Sequence, residues 1–264
     1  MRRPPKPDTV GDQITARLTG FGLTAAAREL VSRFTEADQS AVLPLLLELL
    51  DLEADERRER RLTRLRRASQ LPPGKTFATL NEARFPAALV RRLHELAEGD
   101  FVDDATNVLA FGLPGVGKSH AMCAVAQGLL ERGYSVLFVP TYSLVQTLLV
   151  AKRNLDLPRA LRRLDNFDVV ILDDLGYIQQ SPEEAEVLFT LLAERYERHS
   201  VILTSNLVFG EWDRIFRDQM ATAAAIDRLV HHSVLLEFDV RSFRAEEAEA
   251  RKKKKAAQPV TATP

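Results

Sequence analysis

Residues 112–119 read Gly112, Leu113, Pro114, Gly115, Val116, Gly117, Lys118, Ser119, an unbroken G-x-x-x-x-G-K-[ST] run. A triphosphate needs many hydrogen-bond donors close to its oxygens. Glycines let the backbone approach and adopt the φ > 0 conformations that aim successive N–H groups inward. Lys118 would supply a point charge to the β and γ phosphates, and the Ser119 hydroxyl would ligate Mg²⁺. The predicted phosphate cradle is Gly112 to His120. A Gly-rich turn without a ligand is the plain alternative.

Two more polar groups stand at the ends of apolar runs. Val169-Val170-Ile171-Leu172 leads into Asp173-Asp174. A carboxylate at the end of such a strand is the usual second half of a phosphate-loop site: Asp173 would hold Mg²⁺, directly or through water, and Asp174 would polarise the attacking water. A capping or turn Asp pair is the alternative. Glutamate is the commoner residue at the second position, and aspartate is one methylene shorter. A misplacement of about 1 Å can cost on the order of a hundredfold in rate, so slow hydrolysis suited to a switch is expected. Val201-Ile202-Leu203 leads into Thr204-Ser205-Asn206, where Asn206 would orient the lytic water or touch the γ-phosphate.

These groups need a frame. Val108 to Phe111 is a short apolar run feeding the loop, and Ala121 opens a helix that runs to Arg132, with Gly133 placed to stop it. Val136–Val139, Val169–Leu172, Val201–Leu203 and Val234–Phe238 are further strands, with helices at Leu144–Arg153 and Ala160–Leu164. Strands alternating with helices predict an α/β fold, a parallel five-stranded sheet covered on both faces. Residues 8–70 lack strand signals. Thr24 to Val31 suits a helix, and a second starts near Ser40, carries Leu43, Leu45, Leu46, Leu47, Leu49 and Leu50, tolerates Pro44 in its first turn, and runs into an arginine cluster. Leu71-Pro72-Pro73-Gly74-Lys75 reads as a linker. The expected division is therefore a helical DNA- or partner-binding domain with its linker over 1–75, a nucleotide-hydrolysing domain over 76–247, and a basic disordered tail over 248–264.

Composition sets limits. The 264 residues are 45% hydrophobic and 28% charged, as in a soluble globular protein. Cys123 is the single cysteine, so no intramolecular disulfide forms. The start, Met1-Arg2-Arg3-Pro4, has no apolar stretch behind it and no run reaches membrane-spanning length, so the expected compartment is the cytoplasm. Net charge is only −1, but the charge is clustered. Arg57, Arg58, Arg60, Arg61, Arg64, Arg66 and Arg67 enclose Glu59 as their only acid. Lys152, Arg153, Arg159, Arg162 and Arg163 lie between the second and third strands. Both clusters are candidates for phosphate-backbone contacts, which would be steeply salt-dependent and weakly sequence-specific. A solvated helix or a protein-docking arm is the alternative for the first. His231 and His232 are adjacent and lack partners at ligand spacing, so no metal is expected there, and Trp212 reads as packing.

The segments GLPGVGKSH (112–120), VILDDLGY (170–177), TSNLVFGEW (204–212) and AIDRLVHH (225–232) closely resemble the IstB-like ATPases, AAA+ helper proteins of insertion-sequence transposition. DnaC-type helicase loaders and DnaA-type initiators are next in pattern. The resemblance runs from about residue 15 to about 247. It implies a P-loop AAA+ core using ATP and Mg²⁺. It also implies that Arg228, in Asp227-Arg228-Leu229, is an arginine finger reaching a neighbouring subunit's nucleotide, and that Arg244 is the second sensor arginine. Guanidinium suits both roles, being always charged and able to bind phosphate oxygens bidentately. Asp174 departs from the family's usual glutamate and Ser119 from its commoner threonine. In related rings the 152–163 segment faces the pore. The implied partners are a homo-oligomer (ring or spiral), mainly duplex DNA, and a transposase recruited for target selection, without a membrane. A replicative helicase loader shares every motif. A small-molecule kinase and a non-hydrolysing nucleotide-binding adaptor are the remaining alternatives.

Overall fold

The computed structural model describes residues 9–176, 181–212, 219–243 and 246. The chain divides into two compact units between Arg64 and Leu65.

The first unit is helical. Helix α1 (Val10–Gly20) starts on a Thr9 cap, whose hydroxyl accepts from Asp12 N–H at 3.1 Å. Helix α2 (Thr24–Glu36) and a 3₁₀ turn (Ser40–Val42) lead to α3 (Leu43–Ser69), and Pro44 sits in the first turn of α3 as expected. Ile14, Leu18, Ala27 and Leu43 form the buried core, with Leu46, Leu47 and Leu50 packed against it. Leu45, Leu49 and Leu52 are exposed. The arginine cluster lies on α3, and all seven side chains are exposed. Acids on the preceding turns compensate part of it. Arg57 bonds Glu53 at 2.6 Å and Arg60 bonds Glu56 at 2.5 Å, and the Arg57 hydrogen bond holds the Glu53 carboxyl below the usual carboxylate range. The unit boundary falls inside α3, whereas Leu71–Lys75 follows the end of that helix.

The second unit is built on a five-stranded parallel sheet: β1 (Asn107–Gly112), β2 (Val136–Pro140), β3 (Val169–Leu175), β4 (Ser200–Ser205) and β5 (Ser233–Phe238), in the order β2-β3-β4-β1-β5. Buried on both faces, the central strands are nearly continuous apolar runs. Helix α4 (Ala87–Glu98) packs on α6 (Lys118–Glu131), which lies against β1, β3 and β4; α5 is the short turn Asp100–Asp103. The other face is one cluster. Leu109, Phe111, Val170, Leu172, Val201 and Leu203 from the sheet meet residues of α7 (Thr141–Arg153), α8 (Leu157–Leu164) and α9 (Pro182–Arg195). Trp212 and α10 (Gln219–Val230) close it. Trp212 is fully buried, so it packs rather than stacks on a base. Cys123 is buried in α6, and burial pushes its thiol up to about 12, which keeps it protonated and unreactive at neutral pH. Among the described residues no helix is long and apolar enough to cross a membrane.

Arg195, 1% exposed, ties the lower edge of the sheet. Its guanidinium donates to the carbonyl oxygens of Leu164 (3.0 Å), Phe167 (2.9 Å), Asp168 (3.2 Å) and Ser200 (3.1 Å). Arg195→Met keeps the apolar stem and removes the guanidinium; the Leu164 carbonyl still accepts from Phe167 N–H (3.1 Å) and the Asp168 carbonyl from Ser200 N–H (3.2 Å), whereas the Phe167 and Ser200 carbonyls lose their Arg195 bonds. With about 1–3 kcal/mol for a buried acceptor that loses its donor, a loss of roughly 3 kcal/mol is expected in urea unfolding. An unchanged midpoint would refute this role.

Candidate functional site

The turn from β1 into α6 is possible only without side chains at two positions. A Cβ at Gly112 would stand 2.5 Å from the Phe238 carbonyl oxygen on the neighbouring strand. Gly117 has φ of 102°, and a Cβ there would meet Phe85 at 3.2 Å. Gly117 is the N-cap of α6 and brings no side-chain acceptor to the first N–H groups of the helix, the arrangement an anion site needs. Lys118 is buried at the helix start, its ammonium donating to the carbonyls of Gly112 (2.7 Å) and Leu113 (3.0 Å).

The two aspartates part at a bulge. β3 shifts register against β4 between Leu172 and Leu175, and Asp174 takes φ of 57°. Asp173 is consequently buried, Asp174 exposed, and Leu175 returns to the core. One hydroxyl serves both. Thr204 Oγ1 donates to Asp173 Oδ1 at 2.7 Å and accepts from Asp174 N–H at 2.9 Å. Thr141 Oγ1, at the start of α7, donates to the Asp173 carbonyl at 2.9 Å. The polar triplet ending β4 divides its tasks: Thr204 holds the Asp173 carboxylate and the Asp174 backbone, buried Ser205 donates to the Leu175 carbonyl at 2.9 Å, and Asn206 faces the cavity beside the loop.

That cavity, about 430 Å³, is lined by Pro114, Gly115, Gly117, Lys118, Ser119 and His120, and across from them by Asp174 and Asn206. Asp173 is not among its lining residues. Lys75, Thr79, Leu80, Asn81 and Phe243 also line it, and sequence reasoning missed them. His120 Nε2 lies 3.1 Å from both the Thr76 carbonyl and Thr79 Oγ1, which fastens the segment after α3 to the loop helix. Phe243 N–H donates to the Gly115 carbonyl at 2.9 Å. Arg84 lies 3.9 Å over the Phe243 ring and pairs with Glu246 at 2.7 Å, so the segment after β5 is clasped against the loop. The only sequence hint was proximity: Phe243 precedes Arg244, and Lys75 ends the linker.

The other expected residues lie apart. Arg228 is on the last turn of α10, 4.7 Å over the Phe189 ring of α9, and its Nη1 is buried without a hydrogen-bond partner among the described residues. It does not line the cavity. Arg244 and the tail 248–264 lie outside the described residues. Lys152 and Arg153, at the end of α7, pair with Glu186 (2.6 Å) and Glu183 (3.5 Å) of α9. Arg159, Arg162 and Arg163 share the exposed face of α8, while Leu161 and Leu164 turn inward.

Comparisons with known proteins give the family and the fold. Residues 14–253 match the family model described as IstB-like ATP binding protein. An insertion sequence ATP-binding protein of Sinorhizobium fredii is 44% identical over 197 residues, 74% of this chain and 66%, just under two thirds, of that relative's length. The insertion sequence IS5376 ATP-binding protein of Geobacillus stearothermophilus is 35% identical over 79% of this chain and 83% of its own. Among solved structures, AMPPCP-bound DnaA from Aquifex aeolicus superposes with a TM-score of 0.54 at 17% identity, over 74% of this chain and 58% of that one, a likeness of AAA+ fold.

Thr204→Val removes the shared hydroxyl and keeps the shape. Nucleotide hydrolysis is expected to fall by roughly tenfold or more, as a carboxylate displaced by a fraction of an ångström would give, with a stability loss of about 1–2 kcal/mol. Full retention of the hydrolysis rate would contradict the role given to Thr204.

Proposed function

Because the chain belongs to the family of IstB-like ATP binding proteins, we propose that it is an ATP-dependent regulator that oligomerises on DNA and assists a transposase in insertion-sequence transposition. The observation that carries this reading is a division of labour: the phosphate loop, Asp174 and Asn206 share one cavity, whereas Arg228 lies elsewhere on α10 and does not line it. A finger supplied in trans by a second copy would complete such a site and make ATP an assembly ligand. The names of the relatives, insertion-sequence ATP-binding proteins, supply the setting.

The donor set suits Mg²⁺. The Ser119 hydroxyl and the Asp173 carboxylate are hard oxygen ligands, the latter directly or through water. The ion would neutralise charge on the β and γ oxygens when bound. The chain's own contributions are separable: loop N–H groups and Lys118 bind phosphate, Asp174 and Asn206 would orient water, and Arg228 would stabilise transferred charge in trans, with Arg244 as a second sensor. The exposed arginines of α8 and the cluster on α3 are the proposed contacts to duplex DNA.

Lys118→Ala is expected to abolish ATP-dependent assembly on duplex DNA, read by sedimentation; normal assembly by this variant would defeat the switch reading. Arg228→Ala should still bind ATP but hydrolyse it on the order of a thousandfold more slowly. Mixing the two inactive variants should partly restore hydrolysis, since one supplies an intact loop and the other an intact finger. No rescue would mean that Arg228 does not act in trans. Triple replacement of Arg159, Arg162 and Arg163 by alanine should lower the slope of log affinity against log salt by about 2 to 3. A preference for single strands over duplex would favour a helicase loader instead.

A further inference from the structure

At the opposite edge of the sheet the fold assembles a group that the sequence scatters. Glu197, in the turn after α9, lies beside His231 and His232, which follow α10, and one ligand atom from each falls within 4.8 Å of the others. We propose that Glu197, His231 and His232 form a binding site for a zinc-class divalent cation, which would fasten the end of α10 to the turn after α9.

The donor chemistry selects the class. Two imidazoles and one carboxylate suit zinc, cobalt, nickel or copper, whereas magnesium and calcium want oxygen ligands. Bonds of about 2.0–2.2 Å in a tetrahedron place donors roughly 3.4 Å apart, so rotation of exposed side chains is enough to close the group. The backbone beneath is held already. Asn107 N–H donates to the His232 carbonyl at 2.8 Å, its side chain donates to the Leu229 carbonyl at 3.3 Å, and it accepts from Val201 N–H at 2.9 Å. Arg198 and His199 N–H both donate to the Arg195 carbonyl at 3.0 Å, which fixes the turn carrying Glu197. Tyr196 supplies an outer partner, its hydroxyl 3.3 Å from His231 Nδ1. A hydrogen bond at one ring nitrogen orients the imidazole and leaves the other for the ion.

The position gives the site a consequence. Arg228 is on the last turn of α10 and stacks on Phe189 of α9. A cation joining the ends of these helices would restrain the pair that presents Arg228. Binding of the cation itself does not rest on the function proposed above, so either can fail alone.

The test uses the untagged full-length chain, stripped with chelator and titrated with Co²⁺, whose visible absorption reports nitrogen-and-oxygen coordination. One equivalent should bind and be displaced by Zn²⁺. Glu197→Gln, an isosteric change at an exposed turn, and His232→Ala should each weaken binding by about tenfold or more. His199→Ala, outside the group, should leave it unchanged. No saturable cobalt binding by the parent chain, or equal binding by Glu197→Gln, would overturn the proposal. Should His232→Ala fail to fold, Glu197→Gln decides alone.

Discussion

Parallel pairing places the carboxyl ends of all five strands on one edge of the sheet, and the site exists because of it. In the order β2-β3-β4-β1-β5, the loop-bearing strand β1 lies between β4 and β5, with β3 one place beyond β4. Gly112, Asp174 and Asn206 are far apart in the chain but leave the sheet at neighbouring positions. Each return must cross a face of the sheet, so the helices that bury the strands are also the connections that keep every strand running the same way. Any antiparallel strand among these three would send its polar end to the opposite edge.

Within that frame, two local irregularities convert strand ends into a site. Along an ideal strand Asp173 and Asp174 would point to opposite faces. The bulge and the left-handed backbone at Asp174 let one carboxylate stay inside against Thr204 while the next reaches the cavity. Asp173 is held by a neutral hydroxyl, so the hydrogen bond orients the group without cancelling its charge. The loop is confined in a comparable way. Phe238 stands behind Gly112, Phe85 lies against Gly117, and Phe243 is bonded to Gly115, so three aromatic residues shape a backbone that has no side chains there to shape itself.

What was legible in the sequence was what local pattern encodes. The five strands were apolar runs bounded by turn residues, and the phosphate loop was a contiguous motif whose glycines have steric reasons. Cross-chain relations were not legible. No pattern near Thr204 says that its hydroxyl serves both aspartates, because that depends on β3 and β4 being neighbours. Lys75, Thr79 and Asn81 reach the cavity only because the segment after α3 is fastened to His120. The histidine pair illustrates the same limit. Its third member, Glu197, comes from the far end of α9 and is brought close by the pairing of β1 with both β4 and β5. The arginine cluster was read as nearly uncompensated because only acids inside it were weighed, whereas Glu53 and Glu56 lie one turn before.

Those ion pairs bear on how the proposed DNA contacts could work, and magnitudes decide the matter. An exposed pair such as Arg57–Glu53 or Lys152–Glu186 is worth about 0–1 kcal/mol, and salt screens it. A phosphate contact that releases a condensed counterion gains more at low salt, so an acid partner is displaced rather than obeyed. Pairing within the chain therefore does not silence the basic clusters; it sets their geometry in advance, holding long side chains near the helix surface. The same pairs lower the net field. A chain of net charge −1 would attract DNA weakly as a whole, so under the proposed function the pull would come from the arginine face of α8 and from α3. One copy then offers few contacts, and an assembly multiplies them: if ATP joins copies through Arg228, affinity for DNA rises with the number of copies held together, without a new contact in any one of them. Under the proposed function, nucleotide control of assembly would by that route also be control of DNA binding.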